Sequence, residues 1–363
     1  MAEQQTKTVL SGIRATGRLH SGLEFPTRVS INITRKCNLS CEHCLSSSGI
    51  ADPDELTTEE LLGLIDQLKE AGKPTLSIGG GEPLMRRDLF EVVAHARENN
   101  VSVSMVTNGI LVNERIAKRL NALGLVSITV SVDGLKKNHE LIRGKGSFEK
   151  TIRGIEILKR WVTTAKLSMR VTVNTRNIED CPGLIGLAEE LGLHSIRLTP
   201  VLPLGRAMEN RYLLLSQEQY LQFLADCHKI KAKIEVVLPD DKPDSKTLEP
   251  GEFGGHCGKE VCWITQTGKV YPCIFYGDMY LAGNIREKSF IDLWERCKEM
   301  SRFSGNEYCN TCEIYRDCRG GCRCRALWQY GDINAIDPYC PLSKNKQYEE
   351  TASGHSIPIH QDW

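Results

Sequence analysis

Three of the fifteen cysteines lie close together near the N-terminus, with the spacing Cys-x3-Cys-x2-Cys in the segment NITRKCNLSCEHC. The thiolates of Cys37, Cys41 and Cys44 can hold three irons of a [4Fe–4S] cluster and leave the fourth iron open to an external ligand. A structural zinc site normally has four protein ligands, and His43 inside the motif could supply the fourth. The lack of a fourth cysteine favours a cluster with an open iron, and zinc is the alternative.

Most of the other cysteines lie in the last third of the chain. Cys257 is followed by Gly268 and Cys273, and after a gap comes a tight run with the spacing Cys-x2-Cys-x5-Cys-x3-Cys. The run consists of Cys309, Cys312, Cys318 and Cys322; Cys340 follows it, and Cys262 adds an eighth thiolate. Eight thiolates permit two fully ligated [4Fe–4S] clusters. Two zinc-ribbon sites are the alternative, because zinc accepts the same thiolates.

The overall composition argues against a protein that binds nucleic acid or membranes. The chain has 46 basic and 46 acidic residues and a sequence pI near 7.1, so it lacks the one-signed charge that attracts phosphate backbones or anionic lipid. Neither a signal-peptide core nor a run of about 18 apolar residues occurs in it. We therefore expect a cytoplasmic protein, in which disulfides are rare and the cysteines serve as metal ligands.

Short β-branched segments alternate with helix-like segments from residue 27 to about residue 235. The six predicted strands are RVSINIT, PTLSIGG, VSVSMVT, VSITVSV, KLSMRVTVN and SIRLTP. Strands joined by crossover helices form a parallel sheet. The turns GGGEP, TNG and SVDG follow the second, third and fourth strands, at the carboxyl edge where α/β barrels hold their ligands. The first cysteine motif follows the first strand, so it is expected at the same edge.

Together, CNLSCEHC and GGGEP resemble the radical S-adenosylmethionine (SAM) superfamily. The resemblance implies a partial (β/α)6 TIM barrel in which the three cysteines hold a [4Fe–4S] cluster and SAM chelates its open iron. It also implies SAM contacts from the strand ends, with Glu82 close to the SAM amino group. The implied SAM-binding residues are Gly80, Gly81, Glu82, Asn108, Ser131, Asp133, Arg143 and Asn174. Each of them has an alternative interpretation as turn or helix-cap chemistry.

The cysteine pattern from Cys257 to Cys340 resembles the SPASM domain, which carries auxiliary clusters in peptide- and protein-modifying radical SAM enzymes. The resemblance implies two auxiliary [4Fe–4S] clusters, and hence three clusters in all. It assigns Cys257, Cys262, Cys273 and Cys322 to the first auxiliary cluster, and Cys309, Cys312, Cys318 and Cys340 to the second. Cys324 is left over as a spare ligand, a hydrogen-atom donor or a small buried residue, and the last interpretation is favoured.

Composition divides the chain into five segments. Residues 239–256 are rich in proline, glycine and charge and lack periodicity, which predicts a linker. The radical SAM barrel is predicted over residues 27–238, after an N-terminal extension of residues 1–26. The SPASM domain is predicted over residues 257–345, and residues 346–363 form a tail without an interpretable pattern. The second domain is short and cysteine-rich, which is typical of a unit that metal holds together because its hydrophobic core is small.

The resemblance implies an oxidative radical reaction on a peptide. A reduced cluster passes one electron to SAM, and the resulting 5′-deoxyadenosyl radical abstracts a hydrogen atom while the protein excludes water. Through IGGGEP, CGKEVCWITQTGKVYPC and YLAGNI the chain is similar to the mycofactocin maturase group, which decarboxylates and crosslinks the C-terminal Val-Tyr of a small ribosomal precursor peptide. Peptide splicease, epimerase and thioether-forming maturase are alternatives. A non-catalytic iron–sulfur or zinc scaffold is an alternative of another class.

Sequence features near and before these motifs bear on catalysis and partners. Sulfatase maturases place an aspartate directly after the cysteine equivalent to Cys273, whereas this chain has Ile274, so that activity is disfavoured. Asp278 and Tyr276 are weak catalytic candidates, and a surface aspartate and a packed tyrosine are the favoured interpretations.

About 26 residues precede the first strand, too few for a winged-helix module that grips a leader peptide. We therefore expect the precursor peptide, a separate winged-helix recognition protein and a flavodoxin- or ferredoxin-type electron donor as partners, unless the substrate has no leader.

Overall fold

A parallel sheet forms the centre of the computed structural model, which describes residues 23–239, 255–303 and 306–343. Seven strands lie side by side in chain order, and all neighbouring pairs are parallel. They are β1 (Arg28–Asn32), β2 (Thr75–Gly79), β3 (Val103–Thr107), β4 (Ser127–Ser131), β5 (Lys166–Val173), β6 (Ser195–Pro200) and β7 (Glu235–Val237). The predicted partial barrel is confirmed, and β7 is a short strand beyond the six that the sequence predicted.

Helices connect these strands and cover the outside of the sheet. They are α1 (Thr58–Glu70), α2 (Leu89–Glu98), α3 (Glu114–Leu123), α4 (Lys136–Arg143), α5 (Ser147–Trp161), α6 (Cys181–Glu190), α7 (Arg206–Glu209) and α8 (Gln217–Cys227). A capping box fixes the start of α1, because the Thr57 side chain accepts from the Glu60 amide and the Glu60 side chain accepts from the Thr57 amide. One apolar face of α1, including Leu64 and Leu68, is buried against the sheet. This packing fixes the position of the loop that joins β1 to α1.

The C-terminal part of the chain continues the same sheet. Strand β8 (Val261–Ile264) pairs in parallel with β1, and β9 (Lys269–Tyr271) and β10 (Gly283–Asn284) follow it in antiparallel pairs. The remaining helices are α9 (Phe290–Met300), α10 (Glu307–Asn310), α11 (Tyr315–Cys318) and α12 (Arg323–Tyr330). Phe290 and Trp294 of α9 join the main hydrophobic core. A smaller core beyond them contains Cys273, Tyr276, Phe303, Cys309, Cys324, Leu327 and Ile333.

Parts of four predicted segments lie outside the described residues: positions 1–22 of the N-terminal extension, positions 240–254 of the linker, positions 304–305 and 344–345 of the SPASM domain, and all of the tail, residues 346–363. Within the described ranges, none of the helices has the length and apolar character needed to cross a bilayer.

Candidate functional site

The carboxyl ends of the barrel strands surround a cavity of about 230 Å³. The thiols of Cys37, Cys41 and Cys44 line one side of it, and the ends of β2 to β6 line the other. Five of the eight predicted SAM-binding residues are part of its wall: Gly80, Gly81, Asn108, Ser131 and Arg143. The predicted edge of the sheet therefore does bring the cysteine motif and the strand-end turns together.

The cysteine loop is held in place by polar groups other than its thiols. The Arg206 guanidinium, at the start of α7, donates to the carbonyl of Cys41 at 2.7 Å and to that of Ser48 at 2.9 Å. The backbone amide of Ser48 points at the Cys44 Sγ at 3.4 Å. Burial raises the pKa of the Cys41 thiol to about 11, and the nearby Arg143 charge acts in the opposite direction. A thiolate ligand here therefore needs a positively charged group such as metal to replace its proton.

Two glycines let the end of β2 approach this loop closely. The amide of Gly81 donates to the Thr34 carbonyl and that of Glu82 to the Lys36 carbonyl, both at 2.8 Å. A Cβ on Gly81 would lie 2.2 Å from the Lys36 carbonyl oxygen. Gly80 has φ +116°, and a Cβ there would lie 2.5 Å from the Thr34 carbonyl oxygen. The backbone contact with the cysteine loop alone thus requires glycine at both positions.

Glu82 lies behind the cavity wall. Its side chain is fully buried, and its carboxylate accepts from the Thr107 hydroxyl at 2.7 Å, the Asn108 amide at 2.7 Å and the Leu84 amide at 3.2 Å. Burial raises its pKa, and these hydrogen bonds oppose the rise. Glu82 therefore fixes the TNG turn, and the Asn108 side chain, which also donates to the Asn38 side chain at 2.8 Å, reaches the cavity.

Asp133 is also fully buried behind the cavity, where its carboxylate contacts the side chains of Arg143 and His43. Its Oδ2 lies 2.6 Å from Arg143 Nε and 2.8 Å from His43 Nε2, and its Oδ1 accepts from the Thr172 amide at 2.6 Å. Burial favours the neutral acid, but Arg143, His43 and the amide outweigh it and hold the pKa of Asp133 well below its usual range. The buried carboxylate thereby orients Arg143 and His43, which both line the cavity.

Asn174, the last predicted SAM-binding residue, closes a turn instead of lining the cavity. Its side chain is fully buried, accepting from the Arg176 amide and donating to the Thr172 carbonyl, both at 3.0 Å. Three predicted SAM-binding residues, Glu82, Asp133 and Asn174, are thus placed one layer behind the cavity wall. Their bonds hold residues that do line it.

The sequence interpretation missed several residues of the cavity wall. Arg170 and Thr172 of β5 line it, as do Trp263 of β8 and Phe275 of the short helix Ile274–Tyr276. The Trp263 indole donates to the Asn32 side chain at 3.3 Å, which connects the C-terminal region with the end of β1. The alternation of side chains between the two faces of β5 could have indicated that Arg170 faces the cavity. The position of Trp263 depends on the pairing of β8 with β1, which no local sequence pattern predicts.

Four predicted cluster ligands gather around a small cavity in the C-terminal region. Its volume is about 20 Å³, and its walls include Cys309, Cys312, Cys318 and Cys340. The Asn306 side chain caps α10 by accepting from the Cys309 amide at 2.9 Å. Burial raises the pKa of the Cys309 thiol, and the nearby charge of Arg323, whose side chain is fully buried, opposes the rise. We call these four thiols, which line the same cavity, the second auxiliary group.

The other auxiliary thiols form a group of different composition. Cys257 and Cys273 share a side-chain hydrogen bond, and Cys322 shares one with Cys324. The Sγ of Cys324 lies 3.5 Å from the Sγ of Cys273. We call Cys257, Cys273, Cys322 and Cys324 the first auxiliary group. Cys262, which the sequence assigned to this cluster, lies instead against Cys297 in the main hydrophobic core.

The two weak catalytic candidates are both placed away from the cavity wall. Tyr276 is buried beside the first auxiliary group and packs against Tyr280 and Phe303. Asp278 is partly exposed and accepts from the Tyr271 hydroxyl at 2.6 Å. Within the described ranges, no group of three or more His, Cys, Asp or Glu side chains is spaced to hold a single metal ion.

Two protein-family models match the chain. The model of the radical SAM superfamily matches residues 31–188, which include the cysteine loop and the strand ends β1 to β5. The model of SPASM, an iron–sulfur cluster-binding domain, matches residues 256–319. The first matched region contains Cys37, Cys41 and Cys44, and the second contains six of the eight C-terminal cysteines assigned to the auxiliary clusters, all except Cys322 and Cys340.

Curated proteins match nearly the whole chain. The AdoMet-dependent heme synthase of Methanosarcina barkeri is 32% identical over 350 residues, which cover 89% of this chain and 98% of that protein. The mycofactocin maturase MftC of Mycolicibacterium smegmatis is 33% identical over 340 residues, covering 90% of this chain and 86% of that protein. The Fe-coproporphyrin III synthase of M. barkeri is 31% identical over 352 residues, covering 87% and 88%.

Solved structures share the fold. Native anSMEcpe with bound AdoMet has a TM-score of 0.69 at 24% identity and covers 87% of this chain and 94% of its own. Streptococcus suis SuiB bound to the precursor peptide SuiA has a TM-score of 0.69 at 17% identity and covers 87% and 75%. At these identities the likeness establishes the arrangement of the elements.

Proposed function

Because the chain belongs to the radical SAM superfamily and carries a C-terminal SPASM iron–sulfur domain, we propose that it is a peptide maturase that oxidatively modifies a ribosomally made precursor peptide. The observation that carries the catalytic part is the barrel cavity, in which three thiols meet the ends of six strands, β1 to β6. The peptide part is supported by the similarity to MftC over 90% of the chain. By analogy with that group, the modified residue is a C-terminal tyrosine.

The barrel cavity fits the expected cofactors by its donors and its charge. Two buried polar atoms at its wall, Ser48 Oγ and His43 Nδ1, have no hydrogen-bond partner among the described residues. When bound to Cys37, Cys41 and Cys44, a reduced [4Fe–4S] cluster would supply the electron that cleaves SAM. The backbone at Gly80 and Gly81 would leave room for the methionine part of SAM. Arg143 would offer its charge to an acidic group of SAM.

Residues behind the wall keep these groups in place. Glu82 holds the Asn108 turn, and Asp133 keeps the side chains of Arg143 and His43 oriented. Asn174 holds the turn that follows β5. The proposal therefore assigns SAM contact to the residues on the wall and a positioning role to the three residues behind it. Two auxiliary clusters would bring the number of clusters to three. They would accept the electron that the substrate radical loses when it becomes the oxidised product.

A second cavity offers space for an extended substrate. Its volume is about 490 Å³, and it shares Val201 and Leu202 with the wall of the first cavity. Arg325, Tyr330 and Tyr339 of the C-terminal region line its opposite side. A peptide lying there would place one end close to the cysteine loop. A winged-helix protein that presents the peptide and a flavodoxin- or ferredoxin-type donor complete the proposed system.

A heme-forming reaction is the second candidate. The heme synthase of M. barkeri matches this chain over 98% of its own length at 32% identity, and an Fe-coproporphyrin III synthase matches at 31%. The cationic side chain of Arg170 on the cavity wall would suit a carboxylate of a porphyrin as well as that of a peptide terminus. The similarity at the cofactor site does not decide between the two substrates.

The catalytic part is tested by incubating the anaerobically reconstituted, reduced protein with SAM and measuring 5′-deoxyadenosine. We expect formation by the parent, loss in the Cys37→Ala/Cys41→Ala/Cys44→Ala variant, and retention in Cys181→Ala, which removes a buried thiol of α6. Stoichiometric zinc with little iron and no SAM cleavage would leave a metal-binding scaffold.

The substrate is decided in the same assay. A synthetic peptide ending in Val-Tyr, supplied with a leader-recognition protein, is compared with iron coproporphyrin III. A change in peptide mass supports the maturase, whereas a change in the porphyrin alone supports the heme-forming reaction and contradicts the peptide proposal.

A further inference from the structure

We infer that Cys324, and not Cys262, supplies the fourth thiolate of the first auxiliary cluster, beside Cys257, Cys273 and Cys322. This rests on the proposed function only in that an iron–sulfur cluster is bound by this group. The resemblance to the SPASM domain implies Cys262 as the fourth ligand beside Cys257, Cys273 and Cys322. The arrangement of the side chains favours a different fourth member.

Cys324 is surrounded by the other thiols of the group. Its Sγ is 3.5 Å from that of Cys273 and it also shares a hydrogen bond with Cys322. Its side chain is fully buried in the small C-terminal core, which also contains Cys273 and against which Cys257 and Cys322 pack. A cysteine that served only as a small apolar residue would be expected among carbon atoms. Cys324 instead has sulfur as a near neighbour on two sides.

The local backbone explains how two cysteines that are two residues apart can face the same point. Cys322 is the N-cap residue of α12 and has an extended backbone, with φ −86° and ψ 113°. Cys324 is the second residue inside the helix. Residues two apart within a helix point to different sides, but the extended conformation of Cys322 removes that restriction. The Asp337 carboxylate accepts from the Cys322 amide and pairs with Arg325 at 2.6 Å, which fixes this junction.

Cys262 is held on the other face of the sheet. Side chains of a strand alternate between its two faces, and its neighbour Trp263 lines the barrel cavity. Cys262 therefore points to the opposite face, where it is fully buried and lies against Cys297 of α9. The parallel register with β1, in which Cys262 pairs with Val29, locks this orientation. For Cys262 to join the other three thiols, β8 would have to slip by one residue and take Trp263 out of the cavity.

Four thiolates satisfy the usual ligand set of a [4Fe–4S] or [2Fe–2S] cluster. With Cys324 the first auxiliary group has four members, all of them described and mutually close. Without it the group has three, and one iron would need a ligand from elsewhere. Cluster binding requires no reaction of Cys324 beyond loss of its thiol proton to solvent as the metal binds.

The test uses the full-length Cys37→Ala/Cys41→Ala/Cys44→Ala protein, which retains only the auxiliary clusters. Cys324→Ser and Cys262→Ser are compared in this background by iron and sulfide content, electron paramagnetic resonance and Mössbauer spectroscopy. We expect Cys324→Ser to lose up to about four of about eight irons or to change the spectrum of one cluster. We expect Cys262→Ser to keep the iron content and both spectra of the parent.

Any other pattern overturns the inference: an unchanged spectrum in Cys324→Ser, or loss of a cluster in folded Cys262→Ser. Retention of the second auxiliary signal serves as the control for folding. If Cys324→Ser does not fold, Cys262→Ser decides alone, because a ligand cannot be replaced without a spectral change. A parent that binds zinc without iron would refute the proposed function, whereas a parent with iron and Cys262 as ligand would refute only this inference.

Discussion

In the barrel, the thiols lie on a loop that other parts of the protein hold in place, whereas in the C-terminal region the thiols themselves make up much of the core. The barrel loop is fixed by Arg206, by the close backbone contact at Gly81 and by a sheet with a large apolar core. The small C-terminal core contains Cys273, Cys309 and Cys324 among only seven buried residues. We therefore expect the barrel to form its cavity before any cofactor binds, and the C-terminal region to depend on bound clusters for its stability.

The largest effect should follow from removing auxiliary ligands. In Cys309→Ala/Cys312→Ala we expect the amide hydrogens of α10 to α12 to lose their protection completely and to exchange as in an unfolded segment, since metal binding supplies the folding free energy of such regions. The Cys37→Ala/Cys41→Ala/Cys44→Ala variant is the matched control and should keep the parental protection of β1 to β6. Hydrogen exchange with mass spectrometry measures both. Equal loss of protection in the two regions would break the contrast between them.

A smaller effect should come from the charges that hold the barrel site together. Asp133→Asn leaves Arg143 buried without its counter-charge, and breaking a buried ion pair costs about 3–5 kcal/mol. We therefore expect the amides of β4 and β5 to exchange roughly 100-fold faster or more, while the auxiliary iron content stays unchanged.

Asp66→Asn provides the control for that variant. Asp66 pairs with His95 at 2.7 Å on the surface, where its side chain is 59% exposed, and such pairs contribute less than about 1 kcal/mol. If the amides of β4 and β5 exchange at the same rate in both variants, the buried ion pair of Asp133 does not stabilise the barrel.

Local patterns were sufficient for much of the fold and the site. The alternation of strand and helix segments predicts the parallel sheet, and the turns after the strands place Gly80, Asn108 and Ser131 at one edge. Three of the four thiols of the second auxiliary group, Cys309, Cys312 and Cys318, lie within ten residues of one another in the chain. A single short segment brings these three together, whereas Cys340 reaches the same cavity from a separate segment.

Contacts between distant segments account for what the sequence did not predict. The pairing of β8 with β1 turns Trp263 into the cavity and Cys262 away from the auxiliary thiols. Asp133 looks like a turn residue in SVDG, and only the fold brings His43 and Arg143 to its carboxylate. The register of β8 against β1 and the buried ion pair of Asp133 with Arg143 thus determine which side chains reach the cavity. Neither feature can be predicted from a local sequence pattern.

The smallest of the three effects should come from the contact between β2 and the cysteine loop. This variant tests whether protein contacts hold the loop in place. In Gly81→Ala the new methyl group would meet the Lys36 carbonyl oxygen at 2.2 Å, so the loop must move outward. Forcing an extra methyl into packed structure costs about 1–3 kcal/mol. We expect total iron to fall from about twelve toward about eight per chain, and 5′-deoxyadenosine formation to fall about tenfold or more. The auxiliary spectra should not change.

Gly63→Ala is the matched control, since Gly63 lies in α1 and a Cβ there meets nothing within 4 Å. Alanine in a helix is slightly stabilising relative to glycine, so this variant should keep the parental iron content and activity. A Gly81→Ala protein with full iron content and full activity would mean that the loop adapts freely to its surroundings. The cysteine loop would then depend on its cluster for its position, as the auxiliary thiols do, and the difference between the two regions would disappear.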